Sequence, residues 1–330
     1  MRTPLTPLTA LSPPQFVPRS GIARLSVAST GPLVAAGARV GPYVVGKALG
    51  SGHYAEVFEA VHHSTGDAVA LKIGRNRRAK IAEEANQLRE LGGLDGFARV
   101  QWSGAAAGGL EAFAMDRLGP SLQTALKKAE NRQLPLAAWS SVGVEALGVL
   151  ERLHEQAQLL HLDVKPSNFL LADAAAAPAA ALAPGAALRL VDFGLARSYQ
   201  QPWWSPQRGQ HLPDGTRSGG LVGTVRYASV ANHERRALGR RDDLESLAYM
   251  LVYLRTGSLP WRKVEAPTQP VRIKMTLIKK QRAADGVDLC KAMPPPFADF
   301  WAGIRALEHA ERPDYAALRG LIEGAGREVG

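Results

Sequence analysis

A His, an Asp, a Lys and an Asn are spaced through the stretch LLHLDVKPSNFLL, from Leu159 to Leu171. Polar groups between apolar flanks are costly to bury unless each is paired or used. Asp163 can accept a proton from a hydroxyl as its oxygen attacks. Lys165, two residues on, can neutralise charge on a moving phosphoryl group. Asn168 offers an amide oxygen suited to Mg2+. A second hard-oxygen ligand follows in LVDFGLAR, where Asp192 stands after a β-rich run and before a glycine. Together these groups could move a phosphoryl group from a metal-bound polyphosphate to an alcohol.

Two upstream features fit the same chemistry. LGSGHYAEVFEA places Gly50 and Gly52 at a turn between strands, where a backbone without Cβ atoms can approach phosphate oxygens and point N–H groups at them. Lys72 lies inside the apolar run VALKIG, and a lysine flanked by apolar residues needs an anionic partner. Glu83 and Glu84 are the candidates. Glu84 lies three residues after Ile81 and four before Leu88, on the inward face of a helix, whereas Glu83 is rotated about 100° away. Glu84 is therefore the expected partner.

These residues must be held by elements that the patterning outlines. Structure is expected to begin near Gly41. YVVGKALG, AEVFEAVHH and DAVALKIG read as three strands, broken by SGHY and the turn STGD. Lys80–Leu91 has helical spacing, and FAMDRLGPSL reads as a strand ending in a turn. AAWSSVGVEALGVLERLHEQ is an amphipathic helix, and RRDDLESLAYMLVYLRTG is apolar on most sides and hence buried. FADFWAGIRAL and YAALRGLIEG are further short helices. A strand-rich first third followed by a helix-rich remainder implies an α+β chain of two lobes. The segment 172–189 is rich in Ala and Pro and is expected as an extended loop between two short strands, without chemistry. DDLE suggests a capping box from Asp242 to Glu245.

Bulk properties set wide bounds. The 330 residues are 46% hydrophobic and 21% charged, enough for a sizeable core. The net charge of +10 suits nucleic acid, an anionic membrane or an acidic polypeptide and chooses none of them. No aromatic platform or motif supports nucleic-acid binding. Cys290 is the single cysteine, which excludes an internal disulfide and a cysteine-rich metal site. LESLAYMLVYL is too short to span a bilayer. Met1 to Ala55 contains no Asp or Glu but several Arg, Ser, Thr and Pro. Residues 1–40 are read as a disordered basic extension in a cytoplasmic or nuclear protein, with an organelle-targeting segment as the alternative.

The chain from about Tyr43 to about Glu323 resembles a eukaryotic protein kinase, and more narrowly the casein kinase I family. The motifs that carry the resemblance are MDRLGPSL, HLDVKPSNFL, DFGLAR, GTVRYAS, RRDDLESLAYMLVYLRTGSLPW and ERPDY. SVAN, in place of the usual Ala-Pro-Glu, is similar to the Ser-Ile-Asn of that family. The resemblance implies a bilobal fold, with a β-rich N-lobe over 41–118 and a helical C-lobe over 119–326. It implies an ATP- and Mg2+-dependent serine/threonine kinase, a monomer acting on acidic or already phosphorylated proteins. Asp163 would be the base, Lys165 its neighbour at the phosphate, and Asn168 and Asp192 the metal ligands. Lys72, oriented by Glu84, would hold the α/β-phosphates. Leu49, Gly50, Ser51, Gly52, Val57 and Ala70 would enclose the nucleotide. Met115 would be the gatekeeper, with Asp116 to Leu118 as the hinge that reads adenine. Asp243 would brace the catalytic loop, and Arg226 with Arg272 would bind the substrate anion.

Two departures from the pattern stand out. Leu162 occupies the place of the Arg that usually precedes the catalytic Asp, and Ala55 that of a third loop glycine. The missing Arg normally pairs with a phosphorylated activation loop; it neither binds metal nor accepts the proton. The chain is therefore expected to be active without that route of regulation. The competing reading is a pseudokinase that binds nucleotide or acts as a scaffold. After PDYAALRGLIEGAGREVG there is no long tail, so inhibition by a C-terminal tail is not expected.

Overall fold

Alternation in three neighbouring segments builds the sheet that carries Lys72. The computed structural model describes residues 33–76, 79–201, 209–262, 264 and 268–327. The first strands are β1 (Arg39–Val40), β2 (Tyr43–Ser51), β3 (Ala55–His62) and β4 (Ala68–Gly74), followed by α1 (Ile81–Leu91), β5 (Val100–Ala105) and β6 (Glu111–Asp116). The six strands form one antiparallel sheet in the order β1-β2-β3-β4-β6-β5.

Side chains on a strand alternate between faces. On β4, Val69, Leu71 and Ile73 turn to a small core with Phe58, Ala60, Ala112 and Ala114. Ala70 and Lys72 turn the other way, towards Phe113, Met115 and the Ala85–Leu88 face of α1. Two boundaries differ from expectation. The sheet starts at Arg39, ahead of Gly41, because Val40 is buried against β2 and Leu33 N–H bonds to Glu56. The part of the expected extension covering 1–32 lies outside the described residues. β5 was not foreseen, since VQWSGA is half small residues and alternates weakly.

The rest is mainly helical. The elements are α2 (Leu122–Lys128), α3 (Leu136–Gln156), β7 (Leu159–Leu160), β8 (Phe169–Leu171), β9 (Leu188–Leu190), β10 (Arg197–Ser198), α4 (Val230–His233), α5 (Arg240–Thr256), α6 (Gln269–Arg282), α7 (Val287–Cys290), α8 (Pro296–Ala306) and α9 (Tyr315–Arg327). A β-rich N-lobe thus precedes a helical C-lobe, a bilobal α+β fold. Helix α5 forms the centre of the C-lobe. Leu244, Leu247, Ala248, Met250 and Leu251 are all fully enclosed, and the Trp139 indole of α3 donates to the Leu251 carbonyl at 2.9 Å. No described helix is long and apolar enough to cross a membrane.

The 172–189 segment does run between two paired strands, β8 and β9. Its middle forms a 3-10 turn, Pro178–Leu182, which buries Ala181 against α2 and α3. The capping box lies elsewhere than expected. Gly239 is the N-cap of α5, and its N–H donates to Asp242 at 2.8 Å. Glu245 is instead buried further along, accepting from Val230 N–H at 2.7 Å and pairing with Arg305 at 3.0 Å.

Candidate active site

Lys72 is buried, and its strand register aims it at α1. Its Nζ lies 2.7 Å from Glu84 Oε1 and 2.7 Å from Asp192 Oδ1. Glu83 swings out to Lys80 in an exposed pair. The same Glu84 oxygen accepts from the Phe193 N–H at 3.0 Å, so one carboxylate ties strand, helix and the DFG segment together. Phe193 is buried edge-on between Phe97 and His161, and Asp192 takes a positive φ of 71°. Burial pushes the Lys72 ammonium towards a lower pKa, but the Glu84 and Asp192 carboxylates outweigh it and hold the pKa above its ordinary value. Burial raises Glu84 above the usual carboxylate range. Asp192 is held below that range because the Lys72 charge outweighs its own burial.

The loop from β7 to β8 sets the second cluster. Asp163 Oδ1 accepts from the Thr224 N–H at 2.9 Å and the Thr224 hydroxyl at 2.7 Å. Asp163 Oδ2 accepts from Lys165, whose Nζ also reaches Thr224 Oγ1 at 3.1 Å. Asn168 Nδ2 donates to the Asp163 carbonyl at 2.9 Å. His161 braces the loop from within: Nδ1 accepts the Asp163 N–H at 3.2 Å, and Nε2 donates to the Val191 carbonyl at 3.1 Å. Through these two bonds His161 links Asp163 to the residue just before Asp192, and His161 and Lys165 both act electrostatically on Asp192. Gly223 has φ +78°, and a Cβ there would come within 2.3 Å of the Leu162 carbonyl oxygen and 3.2 Å of Asp163 Oδ1. Only glycine lets the Thr224 segment approach so closely.

Asp243 is fully buried beneath this loop, where it accepts from the main-chain N–H groups of His161 and Leu162 and from His154. Burial alone would raise its pKa; the His154 hydrogen bond and charge outweigh that and lower it. Leu162 is buried in an apolar cluster with Leu160, Tyr199, Ala231 and Leu238. The place of the usual arginine is thus an apolar joint between the catalytic loop and the segment after it.

The donor set suits a hard divalent cation. The Asn168 nitrogen is used by the Asp163 carbonyl, which leaves the amide oxygen free to turn away from it, and the Asp192 carboxylate is about half exposed. Amide and carboxylate oxygens are the donors that Mg2+ prefers.

The residues expected to face a nucleotide are gathered on one sheet face. Val57 pairs with Lys72 and Met115 with Ala70, so all four share it. Leu49 and Gly50 are exposed near the end of β2, and a Cβ on Gly50 would meet nothing within 4 Å. Two details differ from expectation. The Gly52 N–H is used internally, donating to the Ala55 carbonyl at 2.8 Å to close the turn, so it does not point out at a phosphate. Ser51 Oγ and the Gly52 carbonyl accept from Arg75, which also bonds Glu56. The Asp116 carboxylate is held by the Arg99 N–H and the Gln101 amide, and its own N–H donates to the Arg99 carbonyl at 3.1 Å, so a contact from Asp116 to a base would be through its carbonyl. Leu118 follows it, buried.

A cavity of 630 Å³ lies beside Lys165 and Thr224, and its walls carry Arg226, Arg262 and Arg272. The Trp261 indole fixes the Arg226 carbonyl at 2.8 Å, and the Arg226 guanidinium lies over the Tyr253 ring, 5.7 Å from its centroid. Arg226 and Arg272 are therefore brought together despite lying 46 residues apart (272 − 226). Sequence reasoning missed Arg262, Arg75 and Thr224. The signal for Thr224 was present in GTVRYAS; Arg75 and Arg262 carry no pattern that marks them. Compared with known protein families, the chain matches the protein kinase domain over residues 43–319.

Proposed function

The chain belongs to the protein kinase family, and we propose that it transfers the γ-phosphoryl group of ATP to serine or threonine hydroxyls of acidic or already phosphorylated proteins, in the manner of casein kinase I. The observation that carries this reading is that Thr224 and Lys165, which hold Asp163, line a cavity walled by three arginines. Guanidinium groups grip carboxylate and phosphate oxygens in a fork, so a substrate with an anion near its hydroxyl would be anchored there.

Each residue then has a task. Asp163 accepts the proton of the attacking hydroxyl while its oxygen bonds to the γ-phosphorus. The bond from phosphorus to the bridging β-phosphate oxygen breaks, and ADP leaves. Lys165 offsets charge on the moving group, and Lys72, oriented by Glu84, holds the α/β-phosphates. Asn168 and Asp192 would hold Mg2+, which neutralises phosphate charge when bound. Leu49, Gly50, Ser51, Val57, Ala70 and Met115 enclose the nucleotide. Leu162 makes the loop apolar where other kinases need a phosphate, so activity does not wait on phosphorylation of the activation segment.

The test is phosphate transfer to casein by the native chain and by Asp163→Asn, with thermal stabilisation by ATP·Mg2+ measured on both. Loss of the base is expected to slow transfer by ~10²–10⁴ while nucleotide stabilisation persists. Equal rates for the two proteins would sink this reading.

A further inference from the structure

Helix α6 carries apolar side chains on two faces, where a surface helix ordinarily has one. An amphipathic helix ordinarily buries its apolar stripe and turns its charges outward. Along Gln269–Arg282 the inner face is formed by Ile273, Thr276, Leu277 and Lys280, with Thr276 and Lys280 buried and the two apolar side chains half-buried. Val271, Met275 and Ile278 are turned outward and are 39%, 39% and 40% exposed. Their spacing, i, i+4 and i+7, places them on one helical face.

The inner face has a task. Lys280 Nζ donates to the carbonyls of Val225 and Ala228 and stands 4.7 Å and 5.1 Å from the ring centroids of Tyr249 and Trp261. Those carbonyls flank Arg226 and Tyr227, so α6 holds the wall of the arginine-lined cavity in place. The outer stripe has no such task, and three apolar side chains on one exposed face mark an interaction surface more than scattered ones do. Charge narrows the partner. Helix α6 has no Asp or Glu, and Arg272, Lys274, Lys279 and Arg282 are unpaired with any carboxylate among the described residues. Arg272 also lines the cavity, which makes the ridge continuous with the site where the substrate anion would lie.

We propose that Val271, Met275 and Ile278 form a docking ridge for an acidic segment with apolar side chains in the protein substrate, adjoining the residues that enter the Arg226–Arg272 cavity. This rests on the acidic-substrate reading above and extends it beyond the acceptor site. A substrate chain leaving the cavity past Arg272 meets the ridge directly; its acidic residues face the basic flanks and its apolar residues cover the stripe.

The test uses the full chain and the double variant Met275→Ser/Ile278→Ser. The KM for dephosphorylated casein is compared with that for a short acidic peptide long enough to fill only the cavity. Removing two apolar contacts is expected to raise the casein KM about tenfold, so that the casein-to-peptide ratio rises. A rise shared equally by both substrates, or by neither, overturns the ridge. Val271→Ser, at the cavity end of the stripe, is expected to shift the ratio in the same direction. Anisotropy of labelled casein on the same proteins separates docking from turnover. If the native chain fails to phosphorylate casein yet binds it more tightly than the variant, the ridge stands and the kinase reading falls; equal affinities overturn the ridge. Co-sedimentation with phosphatidylserine vesicles supplies the remaining arm. Vesicle binding lost in the variant, with casein affinity unchanged, would assign the stripe to an anionic membrane and overturn the proposal.

Discussion

The main-chain N–H of Leu162 donates to the Asp243 carboxylate at 2.8 Å from a backbone φ of +64°. A β-substituted residue rarely adopts that conformation unless the surroundings hold it there. Asp243 supplies the hold, since it takes the neighbouring His161 N–H as well, at 2.7 Å. Removing it in Asp243→Ala leaves two buried N–H groups and His154 without their acceptor. A loss of about 3–5 kcal/mol is expected, the scale of breaking a buried charged network. Urea unfolding measures it. Asp243→Asn retains an acceptor oxygen and is expected to fall between the two; a stability within error of native for Asp243→Ala would refute the brace.

Restoring the customary residue at position 162 is expected to harm the protein. Leu162 is enclosed by Leu160, Tyr199, Ala231 and Leu238, and a guanidinium there would displace that packing without a built-in anion. Leu162→Arg should therefore lower stability by about 2–4 kcal/mol and leave phosphotransfer below native. Unfolding midpoints and casein phosphorylation read both effects. A variant as stable as native and more active would show that the apolar joint has no role.

Glu83 and Glu84 are adjacent in sequence and opposite in consequence. Glu84 is buried on Lys72 and the Phe193 N–H, and Glu83 is exposed on Lys80. Glu84→Gln keeps the shape but removes the charge facing a buried ammonium. A loss of about 10-fold or more in kcat/KM for ATP is expected, whereas Glu83→Gln should stay within about 0.5 kcal/mol of native stability and close to native rate. Steady-state kinetics at varied ATP decides the matter, and equal losses would mean that the pair does not orient Lys72.

That distinction was legible in the sequence because a helix repeats every 3.6 residues, so Ile81, Leu88 and Glu84 had to share a face. Helix α3 was legible from the same repeat, α5 from a long run apolar on most sides, and strands β2, β3 and β4 from β-branched and aromatic residues bounded by turn signals. What the sequence hid depends on distance. Nothing local says that Arg75 will reach back to Ser51 and Gly52, that Arg262 will face Arg226, or that Thr224 will reach Asp163 across 61 residues. The internal use of the Gly52 N–H was hidden too, because a glycine-rich turn can aim its donors either way. Helix α6 was obscured because its apolar residues fall on two faces while a lysine, Lys280, is buried and Met275 is exposed.

Acid should weaken the fold through a pair of histidines remote from the active site. His211 Nδ1 and His309 Nε2 both donate to the Leu212 carbonyl, at 2.8 Å and 3.1 Å. Their other nitrogens, His211 Nε2 and His309 Nδ1, are buried without a hydrogen-bond partner among the described residues. The rings meet edge-on with centroids 4.5 Å apart, and a Cβ on Gly239 would lie within 3.3 Å and 3.4 Å of those two nitrogens. Burial lowers both pKa values, and the charges of Arg240 and Arg241 at His211 and of Arg236 and Arg241 at His309 add to it; Asp214 opposes them at His309. With folded pKa values below the unfolded value of 6.5, the unfolded chain binds more protons as pH falls. Stability from this pair is therefore complete above pH 6.5 and is lost as pH drops through that value, by at most about 1.4 kcal/mol per pH unit for each ring. His233, pushed down to about 4 by burial and by Lys280, adds to the same trend. Asp242, raised to about 7 by burial, works against it over the same window, so the informative quantity is a difference. Urea midpoints at pH 8 and pH 5 are expected to diverge more for the native chain than for His309→Gln, which removes one titrating ring. The same pH dependence in both proteins would show that the histidine pair does not titrate with folding.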